Sequence, residues 1–449
     1  MKNLIETLKN IWKIEDLRQR ILITVGFLLV YRFGSYIPLP GINPGELSAL
    51  HAQTSDGLLG LLNAFTGGAF ANASILALGI MPYISASIVV QLMGMAVPYL
   101  AKLQKEGESG RKKINQITRW LTIGITLVQA PGYITNLKAQ LPPQAFLLND
   151  GLFWFSGIVI LVAGTVFTMW LGEKITDKGI GNGISLIIMV GIMARFPQSI
   201  AQEFVDKVEA AGGGLVILLV EAVFWMLVIL VSILLVQGTR RIPVQYARRS
   251  VASSSKFNMG GAVGARQYIP LKVNAAGVMP IIFAQAIMFI PVSLFGLVQS
   301  DSMQGMVAIF SNINGLWYNL VFGLLIVLFT YFYTAITVPT NQMADDIKRN
   351  GGFVPGIKPG KDTSDYLDTI MSRITLPGSL FLALIAVLPA LAYQAGVNQS
   401  FALFFGGTSL LIMVGVVLDT LQQVNSHLLN RHYDGLMKSG KLRGKAEIA

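Results

Sequence analysis

The chain contains no cysteine, so disulfides, zinc ribbons and thiol catalysis are excluded, and nothing about redox compartment follows. Histidine is nearly as scarce. His51, His427 and His432 all fall in expected loops or the tail, which leaves no histidine within an apolar run for metal or proton chemistry. Charged residues make up only 13% of the 449 positions. With 53% hydrophobic residues and a mean hydropathy of +0.60, the chain is too apolar for a water-soluble fold of this length.

What is abundant is apolar sequence in runs of membrane-crossing length. A spanning helix needs about 20 apolar residues to cross about 30 Å of hydrocarbon. Ten runs qualify as spans: Ile21 to Tyr36, Ala73 to Val97, Trp120 to Ile134, Leu152 to Leu171, Gly183 to Ile200, Gly214 to Val236, Val273 to Leu294, Leu316 to Val338, Leu376 to Tyr393 and Ala402 to Leu418. Met1 to Arg20 carries five basic residues and an amphipathic scatter of Leu4, Leu8, Ile11 and Trp12, with no small-residue cleavage site after it. That pattern predicts a helix lying on the membrane surface. Along the alternation of spans, 30 of the 34 basic residues fall on the side of the N-terminus, the exceptions being Arg32, Lys138, Arg195 and Lys207. Lysine and arginine collect in cytoplasmic loops, so both termini are expected in the cytoplasm.

Gly57 to Phe70 (GLLGLLNAFTGGAF) is apolar but too short to cross, and it carries a Gly67-Gly68 pair near its end. It suits either a re-entrant element buried in protein or an interfacial loop helix. Gly79 to Ala86 (GIMPYISA) in the second span matches Gly277 to Ala284 (GVMPIIFA) in the seventh at Gly, Met, Pro, Ile and Ala. A match five spans apart predicts two halves of opposite orientation with a pathway at their interface, the alternative being two ordinary proline kinks.

Gln237 to Lys272 holds seven basic residues and no acid, and Pro339 to Thr375 holds five of each sign. Two long projections on one face suit an anionic or large partner; solvated loops obeying the charge bias are the alternative. Gly179 to Gly183 (GIGNG) joins two spans with no strand before it, so it lacks the context of a phosphate cradle and reads as a tight turn. Gly107 to Lys112 lacks a P-loop ending, and neither HExxH nor GxSxG occurs. Arg32 and Glu221 sit in the outer halves of their spans and Asp419 at a cytoplasmic end. A mid-bilayer charge costs about 2.5–3.5 kcal/mol, and ion-coupled carriers place carboxylates there, so a passive or externally driven pathway fits better.

Seven stretches resemble the SecY family of protein-conducting channels: Tyr31 to Ile42 (YRFGSYIPLPGI), Leu78 to Ile88 (LGIMPYISASI), Lys105 to Lys113 (KEGESGRKK), Gly179 to Ser185 (GIGNGIS), Pro270 to Asn274 (PLKVN), Phe353 to Gly360 (FVPGIKPG) and Phe405 to Ile412 (FGGTSLLI). They run in family order through nearly the whole chain. The resemblance implies an all-α polytopic membrane protein of ten transmembrane helices, in two pseudo-symmetric inverted halves of five with a short re-entrant plug helix. By motif, the pore ring is expected at Ile80, Ile84, Ile188, Ile192, Ile282 and Ile412. A β-branched collar can dewet and block ions without offering a sliding peptide a polar group, although such isoleucines also serve simply as packed or lipid-facing residues.

The plug is expected over Leu58 to Ala69, including Leu58, Leu59, Leu61, Leu62, Asn63, Phe65, Gly67 and Gly68. A lateral gate between the second and seventh spans brings in Ser85, Ser87, Gln129 and Asn274, residues that equally suit helix packing. The resemblance places docking of the ribosome and the SecA ATPase at the cytoplasmic projections, with Arg240, Arg241, Arg248, Arg249 and Lys358. Lys358 stands where the family usually has arginine, which keeps the charge but loses the bidentate fork.

The implied function is translocation of unfolded secretory proteins across, and lateral insertion of membrane proteins into, the bacterial plasma membrane. No cofactor or covalent chemistry is implied. The implied partners are SecE, SecG, SecA, the ribosome, signal sequences, unfolded preproteins and membrane lipid. A secondary transporter of a small solute is the alternative. The expected organisation is a cytoplasmic N-terminus at 1–20, a first half at 21–200, a connecting outer loop at 201–213, a second half at 214–420 and a basic tail at 421–449.

Overall fold

The computed structural model describes residues 12, 14–47, 50, 60, 63–209, 214–246, 267–295 and 312–440. Expectations for His51, Leu58, Leu59, Leu61, Leu62, Arg248 and Arg249 lie outside these residues. The chain divides into two compact units, one of Met1–Ala211, Asn398–Phe404 and Ile412–Ala449, the other of Gly212–Val397 and Phe405–Leu411.

The first unit contains α1 (Glu15–Gly34), α2 (Met81–Ala96), α3 (Pro98–Lys105), α4 (Glu108–Gln140), α5 (Asp150–Lys178) and α6 (Gly183–Glu209). α1 begins with Glu15 and Asp16, acids that suit the positive end of a helix dipole, and ends with Arg32 in its last turn. Glu15 to Arg20 is therefore continuous with the helix that carries the first expected span and forms no separate helix, which corrects that part of the expectation for Met1 to Arg20. α6 likewise runs on to Glu209, so residues 201–209 of the expected outer loop are helical.

α4 carries Thr118, Thr122 and Thr126 on one buried stripe at i, i+4 spacing. Each hydroxyl donates to the carbonyl four residues earlier, at 2.9, 2.7 and 2.7 Å, so the stripe can pack without an external partner. α5 answers with buried Thr168, bonded to the Gly164 carbonyl at 2.8 Å, and Arg119 grips Glu173 through two hydrogen bonds of 2.9 and 2.6 Å. That hydrogen bond holds the Arg119 pKa above its ordinary value. The core of this unit gathers Leu39, Ile42, Phe70, Tyr133, Ile134, Leu137 and Phe153.

The second unit contains α7 (Gly214–Gln237), β1 (Thr239–Tyr246), β2 (Gln267–Lys272), α8 (Met279–Phe295), α9 (Leu316–Thr337), α10 (Thr340–Arg349), β3 (Gly352–Phe353) and α11 (Lys361–Gln394). On α9, Tyr318, Phe322, Ile326, Thr330 and Thr334 form a buried stripe of period four. The first three join Ile281, Ala284, Met288, Leu382 and Ile385 in one core. The chain then forms α12 (Gln399–Ala402) and α13 (Gly407–Gly440).

Each of the ten expected spans overlaps a helix, respectively α1, α2, α4, α5, α6, α7, α8, α9, α11 and α13. Among the described residues, six helices are long and apolar enough to cross a membrane by themselves, and a seventh crossing arises if α2 and α3 count as one bent span.

The repeated motif is visible in the backbone. Gly79 and Gly277 both have positive φ, +54° and +64°, and two residues later a Met-Pro pair opens α2 and α8. Proline fits the first turn of a helix because its missing N–H would have no intrahelical partner there. These prolines therefore start helices and do not kink them. The expected second and seventh spans are correspondingly helical only from Met81 and Met279, with turns over 73–80 and 273–278.

Candidate functional site

Residues 63–80 enter the first unit and turn back within it. Asn63 to Phe65 form a helical turn, followed by turns through 80 interrupted by a bridge at Ser74. Asn63 is fully buried and organises the loop: its side-chain oxygen accepts from the Ala71 amide at 3.1 Å, and its carbonyl accepts from the Gly68 amide at 2.9 Å. Beyond Phe70 the segment is tied to its surroundings. The Tyr133 hydroxyl of α4 donates to the Phe70 carbonyl at 2.9 Å, and the two rings meet edge-on with centroids 4.8 Å apart. Leu39 donates to the Ala73 carbonyl at 2.8 Å, and Ile75 donates to that of Ile37 at 2.9 Å. Buried backbone at membrane depth needs its polar groups satisfied in this way.

The glycine pair occupies the left-handed region, with φ of +66° at Gly67 and +91° at Gly68. Gly67 also meets α6 backbone to backbone. A Cβ on Gly67 would stand 2.7 Å from the Gly191 Cα and 2.8 Å from Arg32 Nη1, and one on Gly191 would stand 2.9 Å from the Phe65 carbonyl oxygen. Gly191 lies between Ile188 and Ile192, both buried, so the loop touches α6 at the level of two expected ring residues. Arg32 Nη1 donates to the Gly67 carbonyl at 2.8 Å, and Tyr31 donates to that of Thr66 at 3.3 Å. Sequence reading placed Arg32 in the outer half of its span without assigning it a partner. An arginine in an apolar span needs an acceptor, and that need was the available signal.

The remaining ring residues divide between the units. Ile80 caps α2, with its carbonyl accepting from the Ile84 amide at 3.1 Å. Ile412 is buried and also belongs to the first unit, whereas Ile282 is half-buried in the second. Of the gate candidates, Ser85 donates to the Met81 carbonyl at 3.2 Å within its own helix, and Ser87 accepts a long contact from Gln91 at 3.5 Å. Gln129 is half-buried on α4. Asn274 is buried in the turn before α8, and its side-chain oxygen has no hydrogen-bond partner among the described residues.

The GIGNG loop is a turn. Its amides already have acceptors: Ile180 donates to Thr24 Oγ1 at 3.0 Å, Gly181 to Gln423 Oε1 at 2.8 Å, Gly183 to Thr176 Oγ1 at 2.9 Å and Ile184 to Asn182 Oδ1 at 3.1 Å. A phosphate cradle needs such N–H groups unoccupied. The loop instead ties α1, α5, α6 and α13 together.

The two long projections meet in a three-stranded sheet of order β2-β1-β3 that sequence reading missed. Ile242 pairs with Ile269, and Tyr246 pairs with Gly352 of the second projection. Ile242, Val244, Leu271, Ile347, Val354, Leu367 and Met371 form the shared core. Arg240 and Arg241 are exposed on β1. Lys358 is exposed in the turn before α11, where its carbonyl accepts from Thr363 at 2.8 Å and Gly356 and Gly360 have positive φ.

The helices and the segment that turns back among them define a multi-pass membrane protein with a re-entrant element. Comparison with known proteins narrows this class. The family model described as SecY matches residues 74–421. The protein translocase subunit SecY of Streptomyces scabiei is 41% identical over 441 residues, covering 95% of this chain and 98% of that protein. A solved structure describing how the plug domain of the SecY protein stabilises the closed state and maintains a membrane seal aligns with a TM-score of 0.60, at 19% identity and with coverage of 96% and 95%. Sec61 in the canine ribosome-channel complex aligns at a TM-score of 0.52, at 16% identity and with the same coverages. The chain belongs to the SecY family.

Proposed function

We propose that the chain is the channel subunit of a protein translocase, closed at rest by the isoleucine ring and by residues 58–69 acting as a plug, and itself performing no covalent chemistry. The observation that carries the closed-state reading is the seating of Phe65 to Gly68 against Gly191, beside Ile188 and Ile192. A plug must be buried when seated and must possess a hinge. Asn63, Phe65 and Gly67 are buried, and Gly67-Gly68 supplies two left-handed positions close to the tie at Phe70.

In this reading Ile80, Ile84, Ile188, Ile192, Ile282 and Ile412 line the constriction. The helices opened by the repeated Met-Pro motif, α2 and α8, border a lateral gate with Ser85, Ser87, Gln129 and Asn274, through which signal sequences reach lipid. The sheet platform carrying Arg240, Arg241 and Lys358 docks SecA or the ribosome, which supply the energy; SecE and SecG complete the translocase. The charge bias supports a plasma-membrane orientation with both termini cytoplasmic.

The test is reconstitution with SecE and SecG in proteoliposomes. SecA- and ATP-dependent protection of a precursor protein is expected. Solute counterflow without precursor uptake would instead favour the secondary-transporter reading.

A further inference from the structure

We infer that Arg32 is a positioning residue that latches the plug shut by gripping the Gly67 carbonyl at its hinge. The inference rests on the plug reading above and adds the group that holds the plug in place. Arg32 stands half-buried in the last turn of α1 and forms no ion pair among the described residues. Its charge is met by the Gly67 carbonyl at 2.8 Å, by the Tyr36 hydroxyl at 3.0 Å and by the Tyr36 ring, whose centroid is 5.2 Å from the guanidinium carbon. Tyr36 is on the arginine's own side of the contact and stays with it when the loop moves. The Gly67 carbonyl does not.

The location makes this bond a latch. From Phe70 onward the segment is fixed by Tyr133 and by the backbone bonds of 37–39 with 73–75, so a displaced plug swings about Gly67-Gly68 once the Asn63 bonds to Gly68 and Ala71 open. Rotation there turns the Gly67 carbonyl away from Arg32 and leaves a half-buried guanidinium short of an acceptor. A hydrogen bond to a charged group is stronger than a neutral one, and losing it to an unpaired charge is costly. Gly191 is the second half of the device. Without a side chain it lets Gly67 approach within the arginine's reach, and any Cβ there would press on the Phe65 carbonyl.

The test uses the reconstituted translocase in planar bilayers, with resting potassium chloride conductance as the readout. The variants are Arg32→Met, Arg32→Lys, Gly191→Ala and a deletion of residues 58–69, and Arg32→Met is also placed in the deleted background. Arg32→Met should raise the resting leak about ten-fold or more, the equivalent of about 1.4 kcal/mol or more. Arg32→Lys, which keeps a charged donor, should leak less than Arg32→Met. Gly191→Ala should leak although every charge remains, which keeps the proposal testable if Arg32→Met fails to insert.

In the plug-deleted channel Arg32→Met should add nothing. A leaky plug deletion with tight Arg32→Met and Gly191→Ala channels overturns the latch and leaves the plug standing. An equal rise from Arg32→Met with and without the plug shows that Arg32 acts elsewhere, and also overturns it. A plug deletion that does not leak removes the underlying plug reading itself.

Discussion

Replacing Gly164 by alanine tests how closely α5 packs against the re-entrant segment. A Cβ at Gly164 would fall within van der Waals overlap of the Ile75 carbonyl oxygen and 3.3 Å from Leu76 Cδ2. The first obstacle is backbone, itself held by the bond from Ile75 to the Ile37 carbonyl, so no rotamer change relieves it. Overpacking of this kind costs about 1–3 kcal/mol.

Two other glycines calibrate the result. At Gly157 of α5 the nearest atom is the tip of Ile134, 2.9 Å away, and a flexible side-chain end can yield. At Gly132 of α4 nothing lies within 4 Å, so alanine should be neutral or stabilise the helix by about 0.5–1 kcal/mol. The assay is thermal inactivation of the purified protein in detergent, compared at one heating rate because membrane-protein unfolding is commonly irreversible. The expected order of midpoints is Gly164→Ala lowest, Gly157→Ala intermediate and Gly132→Ala at or above the parent. A Gly164→Ala protein melting with the parent would refute the close packing of α5 on residue 75.

Other predictions concern the two long projections. Lys358→Glu should abolish SecA-driven precursor uptake while Lys358→Arg retains it, and neither should shift the melting midpoint appreciably because the side chain is exposed; parental uptake by the Glu variant would reduce the loop to a simple turn. Ile242→Ala removes a buried side chain from the core shared by both projections, at a cost of about 2–5 kcal/mol. Hydrogen exchange should then accelerate in β1, β2 and 352–354 together, and acceleration confined to 239–272 would mean that the projections are independent.

Much of the architecture was legible in the sequence because a bilayer imposes constraints that composition cannot hide. Apolar runs and the subspanning stretch at 57–70 follow from the absence of water in hydrocarbon, the lysine and arginine bias from the sidedness of insertion, and every expected span overlaps a helix. Helix ends were less legible. From sequence, Met-Pro at 81–82 and 279–280 left two ordinary kinks open as the alternative reading, yet the glycine two residues before each adopts positive φ and the proline is a first-turn residue. The sheet escaped because Pro243 and Pro270 interrupt its strands, and proline argues against a strand until the neighbouring edge is known to be open. Here β3 pairs with β1 only at Gln245 and Tyr246, which leaves the side of β1 beside Pro243 without a third strand among the described residues.

By itself, then, the sequence determined the solvent in which the chain folds, the order of its apolar segments and the family to which it belongs, all of which depend on local runs and motifs. Only the tertiary structure decided which groups answer one another across long separations. Arg32 finds the Gly67 carbonyl, Tyr133 that of Phe70, and Gly191 the backbone of Gly67. A main-chain carbonyl leaves no mark in the identity of its residue, and two glycines 124 positions apart carry no side chain to announce that they touch. These contacts follow from where the folded helices bring the backbone, a nonlocal property that no window of sequence contains.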